Sequence, residues 1–238
     1  MTMTQFSPSK YTILVVEDHQ FSRKALLNML VRAGFENILC AKDGLEAIEK
    51  LNHHSIDLVI TDINMPMVNG LELIKQIREG LTQTTKLTSI IAVTTLSDTA
   101  TIAACMTLEV DAFLVKPVTV QNTKVQIKNA ILEPKQLYQE HLYRKVDTEV
   151  HLPSQETPVE SNAPRIKEVS SHVEQITKLS ELRENMIIID SIRAKTGGCL
   201  LEAGTKINEK LLRRLYELSG VIEICPMSVR IDETQIVC

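Results

Sequence analysis

Five polar residues carry chemistry by their type and by what precedes each of them. Glu17 and Asp18 follow the apolar run TILVV (12–16), and Asp62 follows IDLVIT (56–61). Thr94 closes SIIAVT (89–94), and Lys116-Pro117 follows AFLV (112–115). Three carboxylates at close quarters repel one another, so ionising them together is costly unless a cation sits among them. A lone aspartate after an apolar run means little. A set in which every member stands at the end of an apolar run is specific.

The elements that must position these residues are legible as a pattern. Runs at 12–16, 37–40, 56–61, 89–94 and 112–115 are near-continuous in Val, Ile and Leu, which suits strands buried on both faces of a parallel sheet. Helical spacing lies between them. Ala25, Leu26, Met29, Leu30 and Ala33 form one stripe, stopped by Gly34. Ala47, Ile48 and Leu51 mark a second helix, and Leu71, Leu73, Ile74 and Ile77 a third that ends before Gly80. Ile102, Ala103 and Met106 mark a fourth, and Val120, Val125, Ile127 and Ile131 a fifth. Strands alternating with helices predict a doubly wound α/β domain with a five-stranded parallel sheet and right-handed crossovers. Ligands of such sheets bind beyond the carboxyl ends of the strands, where all five polar residues fall.

ILVVEDHQFSRKAL, DLVITDINMPMVNGLEL, IIAVTTLSD and FLVKP, in that order, resemble the receiver domain of two-component response regulators. The resemblance covers about half the chain. It implies a partner histidine kinase and a phosphoryl group accepted by Asp62 as nucleophile. It implies Mg²⁺ as cofactor, bound directly by Asp18 and Asp62, through water by Glu17, and by the backbone carbonyl of Asn64. Mg²⁺ and the Lys116 ammonium then neutralise the transferred charge. Pro117 fits a cis Lys-Pro bond that aims the ammonium inward. Thr94 is expected to bond the phosphoryl oxygen, and Phe113 to act as the switch aromatic, unless it is permanent core. Thr95 stands where alanine is usual and lines the access to Asp62, which bears on dephosphorylation rate. Asn69 stands where aspartate is common, with little effect expected.

The remainder divides differently. Residues 1–132 make the receiver, 133–180 a helical and Pro-rich linker region, and 181–238 a small α+β output module. Leu137, His141, Leu142 and Lys145 share a helical face, suggesting an added helix, while 151–165 holds three prolines and reads as an extended linker. Ile166, Val169, Val173, Ile176 and Leu179 predict an amphipathic helix, packed on its own domain or serving as a homodimer seam. Strands are expected over 186–192 and 199–204 around Gly197-Gly198, a helix over 207–220, and strands over 221–225 and 228–231.

LRENMIIIDSIRAKTGGCLLEAGTKINEKLLRRLYEL resembles the small module that precedes HD-GYP phosphodiesterase domains, which hydrolyse cyclic di-GMP. Met186, Gly198, Leu200-Leu201, Ala203-Gly204-Thr205 and Leu211 fit, whereas Asn185 stands where glycine is usual. The adjacent His-Asp pair of the catalytic domain is missing. His53-His54, His141, His151 and His172 lack metal-ligand spacing, and Arg213-Arg214 reads as a solvated helix face. The chain is therefore expected to be a non-enzymatic regulator acting on a protein effector, an HD-GYP phosphodiesterase being the suggested class. The alternative is a degenerate phosphodiesterase-like protein that binds cyclic di-GMP or keeps residual activity.

Composition excludes other classes. Residues 1–132 carry 13 acids and 12 bases, 133–180 carry 8 and 6, and 181–238 carry 9 and 8, so no region has the basic excess of a nucleic-acid footprint. No apolar run approaches the roughly 20 residues that span a bilayer. Cys40, Cys105, Cys199, Cys225 and Cys238 are scattered, which fits reduced thiols and an expected cytoplasmic location.

Overall fold

The structure is a computed structural model that describes residues 6–95, 99–149, 173–193, 199–218 and 226–231. The chain divides into two compact units, one of residues 1–97 and 104–150, the other of 98–103 and 151–238.

The first unit carries strands β1 (Thr12–Val16), β2 (Asn37–Ala41), β3 (Leu58–Asp62), β4 (Ser89–Thr94) and β5 (Ala112–Val115). They form one parallel sheet in the order β2-β1-β3-β4-β5. Helices α1 (Gln20–Arg32), α2 (Gly44–His53), α3 (Gly70–Glu79), α4 (Thr99–Thr107) and α5 (Val120–Leu132) alternate with the strands. This is the doubly wound sheet expected from the sequence. Alternate strand residues share a face, so Ile13, Val15, Leu58, Ile60, Ile91, Val93 and Leu114 pack in one core with Leu26 and Leu30 of α1 and Ile127 of α5. The intervening Leu14, Val16 and Val59 are equally buried, as a sheet covered on both faces requires.

Helix ends follow local chemistry. The side chains of Asp43, Asn69 and Thr119 accept backbone N–H groups in the first turns of α2, α3 and α5. Gly34 and Gly80 follow α1 and α3 with φ of 93° and 74°, a left-handed conformation that ends a helix at little steric cost.

Residues 133–149 do not make the added helix suggested by Leu137, His141, Leu142 and Lys145. Pro134 follows α5 and disfavours helical backbone at Glu133, which is extended. The chain then runs without regular structure except for a 3₁₀ turn at Glu140–Lys145. The buried Glu109 carboxylate accepts the backbone N–H of Tyr138 and Gln139, so a tertiary acceptor takes the place of intrahelical ones.

The second unit contains β6 (Val173–Ile176), β7 (Met186–Ile188), β8 (Ile192–Arg193), β9 (Cys199–Leu201), α6 (Glu209–Leu218) and β10 (Met227–Ile231). An antiparallel sheet has the order β6-β10-β7, and β8 pairs with β9. The helix expected over 166–179 is corrected here: Val173–Ile176 is strand, and the part before Val173 lies outside the described residues. Val173, Ile176 and Thr177 are β-branched and favour extended backbone, and β10 supplies the ladder partners. The strand expected over 186–192 divides between two sheets at Ile189–Ser191. The helix appears as α6, its first turn held by Asn208, whose side chain accepts Leu211 N–H at 2.7 Å. Arg214 is buried, against the expected solvated face, because it shares the helical spacing of Leu211, Leu215 and Leu218. The linker at 151–165, the Gly197-Gly198 turn and the strand at 221–225 lie outside the described residues.

Candidate functional site

At the carboxyl end of the first unit's sheet, β1 runs into Glu17-Asp18 and β3 ends in Asp62. Arg23 of α1 donates from its guanidinium to the backbone carbonyls of Glu17 and Asp18, tying the strand end to the helix. The Glu17 side chain is 1% exposed, whereas Asp18 is open to solvent. One carboxylate oxygen from each of Glu17, Asp18 and Asp62 lies within 4.8 Å of the other two.

Lys116 answers this negative charge. Its Nζ lies 2.6 Å from Asp62 Oδ2 and 3.1 Å from Glu17 Oε2. The Lys116-Pro117 peptide is cis, and Lys116 N–H bonds Thr94 O at 2.9 Å, so β4 and the turn after β5 hold the lysine together. The other Asp62 oxygen, Oδ1, accepts Ile63 N–H at 2.7 Å. Burial and then the Asp62 charge push the Glu17 carboxyl above the usual carboxylate range, with Lys116 opposing. Burial acts to lower the Lys116 ammonium, but its hydrogen bonds to Asp62 and Glu17 and their charges outweigh that and raise it.

The loop from Asp62 to α3 has little slack. A Cβ on Gly70 would lie 2.2 Å from Asp62 O and 2.7 Å from Ile63 Cα, so only glycine fits. Gly70 N–H and Met65 N–H both bond Ile63 O, at 3.0 and 3.1 Å. Met67 takes φ of 64°, an uncommon conformation for a residue with a side chain. Asn64 is exposed in this loop. Thr94 is half-buried and Thr95 exposed at the end of β4, and Phe113 is 2% exposed in β5. Glu17, Asp18, Asp62, Asn64, Thr94 and Lys116 thus stand at the carboxyl ends of their strands, while Phe113 lies further back in β5, opposite Ala92.

Sequence reasoning missed a second set of residues. Arg78, 1% exposed, donates to the backbone carbonyls of Leu108, Lys86, Thr88 and Glu109 and to Asp111 Oδ2. Glu109 Oε2 accepts the Tyr143 hydroxyl at 2.6 Å. Burial, then this bond and the carboxylate's charge, push the Tyr143 phenol well above its ordinary range. Lys75 Nζ donates to the carbonyls of Arg144 and Val146, and Asn69 Nδ2 to that of Thr148. No local signal marks these contacts, because their partners lie far apart in the chain.

An open parallel sheet with three carboxylates and a cis-linked lysine at one end is the arrangement expected of a receiver domain. Comparison with known proteins agrees. The family model described as the response regulator receiver domain matches residues 13–128. Chemotaxis protein CheY1 of Helicobacter pylori is 37% identical over 117 residues, which is 49% of this chain and 93% of that protein. Regulator of RpoS of Escherichia coli is 32% identical over 166 residues, which is 67% of this chain and 48% of that protein. The crystal structure of Vibrio cholerae chemotaxis protein CheY4 superposes with a TM-score of 0.46 at 28% identity, covering 50% of this chain and 98% of that one. The chain belongs to the response regulator receiver family. Among the described residues, no helix is long and apolar enough to cross a membrane.

Proposed function

We propose that the chain is a phosphorylation-dependent response regulator in which Asp62 accepts a phosphoryl group from a histidine kinase and the signal leaves by protein–protein interaction. One observation carries this reading: Lys116 Nζ lies within hydrogen-bonding distance of both Asp62 and Glu17 in a three-carboxylate cluster. An Asp62 oxygen attacks the phosphorus of a phosphohistidine. The new P–O bond forms as the P–N bond breaks, and the electron pair returns to the imidazole nitrogen. Lys116 stands where it offsets charge on the phosphoryl oxygens, and the Thr94 hydroxyl is the expected further donor. Phe113 is the expected switch aromatic, in its buried state here.

The oxygen-only donor set suits a hard cation, and Mg²⁺ is the ion we assign to it. Asp18 and Asp62 would hold it directly, Glu17 through water, and the Asn64 carbonyl as a further ligand. When bound, the ion neutralises the carboxylates and the incoming phosphoryl group.

The output is assigned to the module expected over 181–238, whose sheet also takes in Val173–Ile176, while residues 133–149 group with the receiver. Resemblance around Leu200-Leu201, Ala203-Gly204-Thr205 and Leu211 suggests an HD-GYP phosphodiesterase as partner, the chain itself being non-catalytic. The test is labelling with acetyl phosphate and Mg²⁺. Wild type should acquire one phosphoryl group that alkali and hydroxylamine release, and Asp62→Asn none. Equal labelling of the Asn variant would remove Asp62 from the reaction.

A further inference from the structure

Residues 133–149 return along the outside of α3. Near the helix's last turn, Tyr138 and Tyr143 bind Glu109, and Glu140 pairs with Lys86 at 3.1 Å. Further up, Lys75 Nζ lies 3.3 Å from Arg144 O and 2.9 Å from Val146 O. At the helix's N-cap the segment ends on Asn69, whose Nδ2 lies 2.7 Å from Thr148 O. The segment is a strap that starts at the end of the sheet remote from Asp62 and finishes on the loop that carries Asp62.

Asn69 performs two tasks with its two amide atoms. Its Oδ1 accepts Glu72 N–H at 2.9 Å, which caps α3. Its Nδ2 holds the strap. Aspartate could perform the first task but not the second, because a carboxylate has no donor for the Thr148 carbonyl. The expectation of little effect from Asn69 leaves this second bond out of account.

The loop below is tight. Both Asp62 oxygens are engaged, one by Lys116 and one by Ile63 N–H. A phosphoryl group on Asp62 brings three further acceptor oxygens that compete for these two donors. Movement at Ile63 reaches Gly70, which bonds Ile63 O and touches Asp62 O with no room for a Cβ, and so reaches the adjoining Asn69.

We propose that Asn69 is a positioning residue that links the phosphoacceptor loop to the strap, and that phosphorylation of Asp62 loosens residues 139–149 from α3. This rests on the reading of Asp62 as phosphoacceptor. The strap contacts belong to the state in which Lys116 holds a bare Asp62. A ligand that favours the displaced loop weakens them, and by linkage their loss strengthens that ligand's binding by the same factor.

The test uses the full chain with Mg²⁺ and beryllofluoride, a non-hydrolysing phosphoryl mimic, and reads amide hydrogen exchange over 62–70 and 139–149. In wild type, beryllofluoride should protect 62–70 and speed exchange at 139–149 by about threefold to tenfold, the scale of one or two hydrogen bonds. Asn69→Asp should speed 139–149 without the mimic, bind the mimic more tightly by a similar factor, and leave α3 amides protected. Lys75→Met, which frees the same strap without touching the loop, should tighten the mimic likewise. A response at 62–70 with none at 139–149 overturns the proposal and leaves the phosphoacceptor reading standing. Mimic affinity unchanged in both variants overturns it too. No response at either segment overturns both readings.

Discussion

Asp62 is held from two sides, by Lys116 at 2.6 Å and by Ile63 N–H at 2.7 Å, and these two contacts fix the orientation of its carboxylate. Removing the ammonium leaves Glu17, Asp18 and Asp62 to repel one another. Lys116→Ala should therefore gain more thermal stability from millimolar MgCl₂ than wild type does, while losing the conformational response to beryllofluoride. Equal stabilisation of the two by MgCl₂ would contradict the charge argument. Gly70 matters through space alone. Gly70→Ala should cost about 1–3 kcal/mol, since the backbone must shift to admit a Cβ, and should slow phosphorylation of Asp62. Chemical denaturation and acetyl phosphate labelling measure the two effects. Glu17, Asp18, Asp62 and Lys116 were legible in the sequence because each stands at the end of an apolar strand. Asn69 was not, because its significance lies in a carbonyl 79 positions away.

At the scale of elements, the strap and the end of α3 depend on buried polar groups. Arg78 satisfies four backbone carbonyls and half of the Asp111 carboxylate. Arg78→Met should destabilise the protein by about 3–5 kcal/mol, because four backbone carbonyls lose this donor and Asp111, whose Oδ1 lies 3.1 Å from Lys135 Nζ, loses its buried ion-pair partner. Urea unfolding checks this, and a change below 1 kcal/mol would mean that Lys135 alone compensates Asp111. Tyr143 carries a pH signature. Its folded pKa is raised by burial and by Glu109, so the neutral phenol is the form that folding favours. The associated stability is fully present below the unfolded tyrosine value of about 10 and is lost as pH rises beyond it. Tyr143→Phe should lower stability at neutral pH by about 1.5–3 kcal/mol, and its stability should fall less steeply than wild type's above pH 10. Parallel alkaline profiles would show that Tyr143 ionisation does not contribute. The helices and strands of the receiver were readable from periodicity, but the 133–149 segment was not. Its apolar spacing suggested a helix, while Pro134 and the Glu109 carboxylate decided for an extended strap.

For the whole molecule, regulation requires that phosphorylation change the free energy of partner binding. Couplings of this kind are typically about 1–3 kcal/mol. The phosphorylated and unphosphorylated chain should therefore differ in partner affinity by about 5-fold to 150-fold, as titration calorimetry can measure. Identical affinities would reduce the receiver to a phosphate sink. The amino-acid sequence by itself determined the order of strands and helices, the parallel sheet and the five polar residues at its carboxyl end. All of these follow from hydrophobic period and from what stands next to each run, which are local properties. Only the tertiary structure decided that Val173–Ile176 is a strand, that Arg214 is buried, and that the segment after α5 binds back along α3. Those outcomes turn on partners tens of residues away: the β10 ladder, the packing of α6, and the buried carboxylate of Glu109. A sequence window sees the propensity of Val173 or the charge of Arg78, but the energy that overrides them comes from groups that meet only when the chain has folded.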